Sequence, residues 1–569
     1  MGHGHHHHHD HDHATGADVP PALDLSVPDG ELAPSDLSRR GFLRNAGLLG
    51  AGAAATVLAA PHAAHAQQAD HQQGPGGDRE RTGGFQWLAG DHHIHTQYSP
   101  DGMYRVLDQA QHARAYGLDW MVVTDHGTDA HAKIGVEKVN PDIRAARSEL
   151  RDLLVFQGLE WNIPAAEHGT VFVHPGQHEV AVLKEFENAY DGTVRKASDP
   201  GATNEALAIA GIKFLGEAVR KRRVDGALFL ANHPSRRGVD SPHEIRAWRD
   251  ADPSVAVGME GAPGHQAAGI TKPHGAGGGR GYYEGSPSAA SFPGYPLESY
   301  RTWGGFDWMT STVGGLWDSL LAEGRAWWVT ANSDSHTIYL DSATRGPGSD
   351  FNANGRYNDP VHGGQVLTTA GDFWPGYYSR THVGATSFAY RAVMDGLRAG
   401  RVWVDHGGLI RGLDVRTRVA GDRRANSGTP LGGVMRVRRG QSVELTIDVD
   451  LATTPNWAQF VPVLARVDVI AGAVSGPVSD PDSFTAPNTK VVKSFEVARG
   501  SSKVSFSYSF GKVDKPFYVR VRGTDGNRTT AGLLGAGVDP VGPAMDVVGD
   551  ADPWKDLWFY ANPIWILPV

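Results

Sequence analysis

Between residues 85 and 405, short apolar runs alternate with segments in which apolar residues recur every three to four positions. The runs fall at 87–95, 119–125, 153–161, 169–174, 226–233, 255–260, 326–334 and 401–406 and read as strands. The helical patterns between them lie at 103–116, 142–152, 205–222, 243–249, 306–323 and 387–399. This alternation predicts parallel strands joined by crossover helices, in an α/β barrel or an open sheet. Two Gly/Pro-rich insertions interrupt it, near 261–300 and 341–384. Loops of that length inside a compact domain are functional lids or disordered segments.

After about Gly407 the period changes to two. The runs 441–451, 464–472, 489–498, 502–510 and 516–525 alternate apolar and polar residues, with turn residues and no helical pattern between them. They predict a small antiparallel β-sandwich. The expected organisation is therefore an N-terminal region over 1–66, a flexible linker over 67–84, an α/β domain over 85–405 and the sandwich over 406–569.

The N-terminal region reads as an address. "SRRGFLR" at 38–44 precedes a weakly apolar run from Asn45 to Ala60, and "AHA" at Ala64–Ala66 supplies small residues for cleavage. This is the pattern of a twin-arginine signal peptide. The run is too short and too poor in Leu and Ile to span a bilayer comfortably. The mature chain is expected to begin near Gln67, after passage through the export machinery into a periplasmic or extracellular space. The histidine-rich "MGHGHHHHHDHDH" at the start would be removed with the signal.

Composition narrows the chemistry. The absence of cysteine excludes disulfides, thiolate metal sites and a cysteine nucleophile. Any metal must sit on His, Asp and Glu, a donor set that suits Zn, Mn or Fe. A net charge of -10 without a long basic block argues against nucleic acid as the main partner.

The candidate chemistry lies at the C-terminal ends of the predicted strands, where α/β folds place their sites. The first is "DHHIHTQYSPDG" at 91–102. Alternation along an extended segment puts Asp91, His93 and His95 on one face and His92 on the other. His92 is thus expected to be dispensable, and Asp91 to support the ligands. Asp101 follows past "YSP", where the chain can turn back. Later strands end at Asp125 and His126 ("VVTDHGT"), Glu160 ("VFQGLEW"), His233 ("FLANHP"), and Asp334 and His336 ("VTANSDSH"). Repetition along one α/β pattern points to a shared metal site rather than to satisfied core polar groups.

In order, H-x-H…Asp-Gly, T-D-H, G-x-E, H-P and S-D-x-H resemble the PHP (polymerase and histidinol phosphatase) domain. The resemblance covers about 85–405. It implies a distorted seven-stranded β/α barrel, TIM-like, holding two or three divalent ions. The ligands it implies are His93, His95, Asp101, His126, Glu160, His233, Asp334 and His336. One further histidine is expected between the Glu and the H-P motif. His168 fits that place better than His174, because it follows Glu160 closely and precedes an apolar strand. The sandwich and the closing "DLWFYANPIWI" (556–566) resemble the carbaryl-hydrolase-type branch of the family.

Other residues receive plainer readings. Asp125 is expected to orient a ligand from behind. Arg236 and Arg237 are candidates for holding a substrate phosphate or, equally, a solvated charge pair. His265 and His274 are read as surface residues of the insertion, with His265 a candidate for substrate contact at the mouth of the site. His112 is expected to be exposed on its helix.

Clustered divalent ions make hydrolysis the natural chemistry. With no G-x-S-x-G elbow and no cysteine, the expected nucleophile is a metal-bound hydroxide. The leading expectation is an exported phosphoesterase acting on a small-molecule ester. A hydrolase of carboxylic or carbamic esters is the alternative, and a non-catalytic binding protein on the same scaffold is a third reading.

Overall fold

In the computed structural model, the described residues run from 81 to 569, apart from 83, 271, 277–286, 301, 423, 425–426, 458, 460, 499 and 526–555. All belong to one unit, Ala69–Val569. The signal peptide, the histidine tract and nearly all of the expected linker lie outside the described residues.

Seven strands form the core: β1 Phe85–Asp91, β2 Trp120–Val123, β3 Leu154–Asn162, β4 His168–Val173, β5 Ala227–Ala231, β6 Ala256–Ala262 and β7 Trp328–Ala331. They lie side by side in chain order. The pairs β1–β2, β2–β3, β5–β6 and β6–β7 are parallel. Just beyond β1 and β7, Ile94 and Ser335 form an isolated parallel bridge, so the first and last segments of the series also meet. This parallel-strand core is consistent with a PHP barrel.

The expectation of uniformly parallel strands needs one correction. β4 runs antiparallel to both of its neighbours. The connection from β3 is only the tight turn 163–167, closed by the Ile163 N–H donating to the Glu167 carbonyl at 2.9 Å. A parallel neighbour would need a crossover of about a dozen residues or more. The reversal has a functional result. It brings His168, at the start of β4, to the rim where the parallel strands end.

Helices α1 Val106–Ala115, α2 Val136–Glu149, α3 Glu179–Tyr190, α4 Ala202–Arg220 and α5 Pro242–Ala251 intervene between the core strands. α5 starts as its sequence dictates. Ser241 and Glu244 form a reciprocal capping box around Pro242. The expected helix over 306–323 is instead broken into a single turn, Trp308–Ser311, and α6 Leu316–Ala322. The break falls at "TVGG", where Gly314 adopts a φ of 78°.

The sheet continues past β1 through β8 Ser379–Ala385 and β9 Val402–His406, with α7 Tyr390–Arg398 between them. The C-terminal half supplies β10 Ile410–Val419, β11 Val434–Val437, β12 Ser442–Leu451, β13 Arg466–Ala473, β14 Lys490–Glu496, β15 Lys503–Lys512, β16 Phe517–Thr524 and β17 Trp558–Pro568. β17 pairs antiparallel with β9, so hydrogen bonding runs unbroken across the boundary placed near 405 in the sequence. β16, β13 and β14 extend that sheet, while β10, β12 and β15 form a second sheet with Thr429–Pro430. Leu413, Leu445 and Ile447 from the second sheet share a buried cluster with Val467, Val521 and Phe559 from the first. No helix among the described residues is long and apolar enough to cross a membrane.

The far edge of β7 is closed by side chains. Asn562 accepts the Val329 N–H at 2.9 Å and donates to the Val329 carbonyl at 3.3 Å. Thr381 accepts the Ala331 N–H at 2.8 Å and donates to its carbonyl at 2.6 Å. Both pairs satisfy buried backbone groups that a neighbouring strand would otherwise take.

Candidate metal centre

The strand ends and the start of β4 deliver their polar residues to one place. Glu160, 1% exposed on β3, is its hub. Its Oε1 lies 3.2 Å from His93 Nε2, 3.1 Å from His168 Nδ1 and 3.2 Å from His233 Nε2. Its Oε2 lies 3.3 Å from His95 Nε2 and 3.1 Å from His126 Nε2. Five imidazoles thus surround one buried carboxylate.

Asp334 forms a second hub. Its Oδ1 lies 3.0 Å from His93 Nε2 and 3.1 Å from His95 Nε2. Asp101 faces His126 at 3.2 Å and His336 at 3.4 Å. The His95 and His336 rings stack with centroids 3.8 Å apart. Among the described residues, five groups could each hold an ion: His93, His95, Glu160 and Asp334; His95, Asp101, His126 and His336; His265, His336 and Asp372; Glu167, His168 and His233; and Glu160 and His168 with His126. His233 joins this last neighbourhood through Glu167 and His168. His174 lies elsewhere, with Nδ1 at 2.9 Å from the Pro175 carbonyl and no ring nitrogen in these groups.

The donor chemistry fits divalent cations. His93 Nδ1 lies 2.6 Å from Glu260; when that carboxylate accepts the Nδ1 proton, a neutral ring leaves a bare lone pair on Nε2. That atom faces His95 Nε2 at 3.0 Å. The two nitrogens and the carboxylate oxygens of Glu160 and Asp334 therefore converge on common ground in a buried place. Without a cation such convergence is costly, and with one it is a ligand set. Without a cation, burial opposes protonation of His93, yet Asp334, Glu160 and Glu260 hold its pKa well above the ordinary value, so a proton occupies the place an ion would take. Burial opposes ionisation of Glu160, yet His126, His93 and His168 overcome it and hold the carboxyl well below its usual range. His265, His93 and His336 do the same for Asp334 against its burial.

A layer of acceptors holds the ligands in place. Glu260 also accepts the His233 N–H at 2.6 Å. Asp91 accepts the N–H groups of His93 and Ser333, each at 3.0 Å. Burial pushes the Asp91 carboxyl up to about 7, against those hydrogen bonds. Ser99 donates to Asp101 at 2.6 Å and accepts the His126 N–H at 3.2 Å. Asp125 contacts Thr96 rather than a candidate ligand, accepting its N–H at 2.6 Å and its hydroxyl at 2.9 Å.

Several expectations change here. His92 does point away from the ligands, but it is fully buried and bridges Thr170 at 3.2 Å and Thr330 at 2.7 Å. It ties β4 to β7 across the core and is not a dispensable loop residue. His265 is not on the surface. It is buried against Asp334 and Asp372. His112 is half-buried, its ring stacked on Trp374 at 3.6 Å. His274 is exposed, as read. Arg236 and Arg237 both turn to the buried Glu167, at 2.9 and 3.4 Å, beside His168 and His233.

Glu260, Glu167, Ser99, Asp372 and Asn232, whose amide donates to Glu160 Oε1 at 3.1 Å, escaped the sequence reading. Glu260 had a visible signal, a lone carboxylate inside the apolar run "VAVGMEG". Asp372 had none, because it lies in a long irregular insertion.

The family described as PHP domain matches residues 91–220. This segment is less than a quarter of the chain and contains His93, His95, Asp101, His126, Glu160 and His168. His233, Asp334 and His336 come from beyond it. Among solved structures, the chain is similar to a two-domain protein from Bacteroides vulgatus described as containing a predicted PHP-like metal-dependent phosphoesterase. The identity is 14% over 78% of this chain and 95% of that one, with a TM-score of 0.28. It is also similar to Endonuclease Q in complex with a duplex carrying an abasic lesion. There the identity is 16% over 33% of this chain and 46% of that one, with a TM-score of 0.18. No curated protein matches the chain.

Proposed function

We propose that the chain is an exported metal-dependent hydrolase, in the first place a phosphoesterase acting on a small-molecule ester. The observation that carries the reading is the Glu160 carboxylate with five imidazole nitrogens at 3.1–3.3 Å. A structural ion pair needs one such partner. The family match supports the reaction class.

His93, His95, Asp101, His126, Glu160, His168, His233, Asp334 and His336 would hold two or three divalent ions. With no thiolate available, Zn, Mn and Fe are the candidates. Ions held there would lower the pKa of a bound water and polarise the oxygens of the scissile group. The protein's own contribution is preorganisation. Glu260, Asp91 and Ser99 fix ring orientations and loop backbone before substrate arrives, so no reorganisation is needed as charge develops. Arg236 and Arg237 stand at the rim beside His168 and His233, where phosphoryl oxygens would need cations.

A second reading, hydrolysis of carboxylic or carbamic esters, has an observation of its own. Phe373, next to Asp372, packs against Tyr377, Tyr378 and Trp457 with ring centroids 5.1–5.9 Å apart. Phe373 and Tyr378 are buried, and the partly exposed Tyr377 and Trp457 would offer the aromatic wall that an aryl group needs. The resemblance of 556–566 to carbaryl-hydrolase-type proteins points the same way. Parallel assays of aryl phosphate mono- and diesters against aryl acetates and carbamates separate the two. Turnover of the phosphates is expected, and turnover of the acetates or carbamates alone would reverse the order.

Export rests on "SRRGFLR" and "AHA". N-terminal sequencing of the protein recovered outside the cytoplasm should read from Gln67. A chain that keeps residues 1–66 in that fraction contradicts it.

A further inference from the structure

The segment 263–265, after β6, and the insertion 341–384 meet at the metal centre through two residues that belong to none of its expected motifs. His265 Nε2 contacts Asp334 Oδ2, and its Nδ1 contacts Asp372 Oδ1. Asp334 presents its other oxygen, Oδ1, to His93 and His95. The two oxygens of one candidate ligand are thus divided between the ion-facing side and His265. Asp372, 1% exposed, also uses Oδ2 to accept the N–H groups of His336 at 2.7 Å and Thr337 at 3.2 Å.

The local backbone is built for this contact. His265 and Asp334 adopt φ of 65° and 46°, in the left-handed region that disfavours residues bearing a Cβ. Such conformations persist only where the surroundings impose them, and they gather at functional sites. Gly264 permits the close approach. A Cβ there would lie 2.0 Å from the Ser333 carbonyl oxygen and 2.2 Å from Asp334 Cβ. The turn carrying His265 is therefore seated directly on the strand end that carries Asp334.

We propose that His265 and Asp372 are positioning residues of the metal centre. His265 holds the outer oxygen of Asp334 so that the inner one faces the ions, and Asp372 holds both His265 and the backbone of His336. The insertion 341–384 thereby sets the geometry of ligands that β7 delivers. This rests on the metal-centre reading above. It assigns His265 neither to the ligands nor to the substrate. A carboxylate–histidine pair behind a ligand fixes the ring and sharpens the ligand's aim, and losing such a partner weakens metal binding.

The test is manganese binding by the mature chain from Gln67, which lacks the N-terminal histidine tract, stripped with chelator and dialysed against graded Mn(II), with bound metal measured by elemental analysis. Wild type is compared with His265→Ala, His265→Gln and Asp372→Asn. Thermal unfolding of the stripped proteins checks that each is folded. His265→Ala and Asp372→Asn should raise the free Mn(II) needed to half-fill at least one position by about 10–100-fold, while His265→Gln, whose amide can still donate to Asp334, stays within about threefold of wild type. If the alanine variant does not fold, Asp372→Asn and His265→Gln carry the comparison. Curves for His265→Ala and Asp372→Asn that superimpose on wild type overturn the proposal. So does a His265→Gln curve as weak as that of Asp372→Asn. Absence of bound manganese in wild type overturns the metal-centre reading itself.

Discussion

At the scale of single residues, the same amino acid takes opposite roles according to what it faces. His93 and His95 turn their Nε2 atoms toward carboxylates in a crowded centre. His406 is equally buried but points Nδ1 at the Gly304 carbonyl, 2.8 Å away, and packs on Phe306. Burial lowers its pKa to about 4, from an ordinary 6.5. The unfolded chain therefore binds a proton here that the folded chain refuses between those values. This contribution to stability is complete above about pH 6.5 and is lost as pH falls toward 4, with a slope of at most about 1.4 kcal/mol per unit. Replacing His406 with Asn should flatten that part of the acid limb in denaturant unfolding of the metal-stripped protein. An unchanged slope would mean that His406 is protonated in the fold.

Residue identity was legible in the sequence wherever strand alternation applied. His93, His95, Glu160 and Asp334 meet because each lies on or just past an apolar run. The role of His92 was not legible. Alternation put it on the opposite face, but only the closure of strands around it shows that this face is a packed interior, with Thr170 and Thr330 as its partners.

At the scale of elements, periodicity located most of the strands and helices and missed what depends on pairing. The helix α3 went unread although Val182, Leu183 and Phe186 form its buried stripe. The strand β8 was hidden in a segment read as insertion, because "SRTHVGA" is short and half polar. It pairs antiparallel with both β1 and β9, a long-range fact that no local pattern encodes. The closure of β7 by Asn562 is of the same kind. Replacing Asn562 with Ala would leave the buried N–H and carbonyl of Val329 without partners. The expected loss is about 1–3 kcal/mol for each group left unsatisfied. Equilibrium unfolding in denaturant reads this directly. A loss under half a kilocalorie, with metal content unchanged, would show that the edge is satisfied by other means.

At the scale of the whole molecule, the C-terminal strands are part of the scaffold that holds the centre. β17 carries Asn562 to β7, while Arg520 on β16 forms a doubly hydrogen-bonded pair with Asp318 on α6, both fully buried. Cutting the chain near 405 would leave that carboxylate without its partner, a strongly destabilising change. The antiparallel strands after Gly407 were legible as a change of period. Their continuity with the earlier sheet was not, because a shared sheet leaves no mark on the pattern of either part. Everything that concerns chemistry still converges on Glu160. Elemental analysis of the purified mature chain from Gln67, grown in metal-replete medium, against a Glu160→Gln variant of confirmed fold is the most direct test. Wild type should carry two or three divalent ions per chain, and the variant should lose most of them along with hydrolytic activity. A wild-type chain that binds no divalent ion, or a Glu160→Gln variant that retains the full complement, would contradict the account.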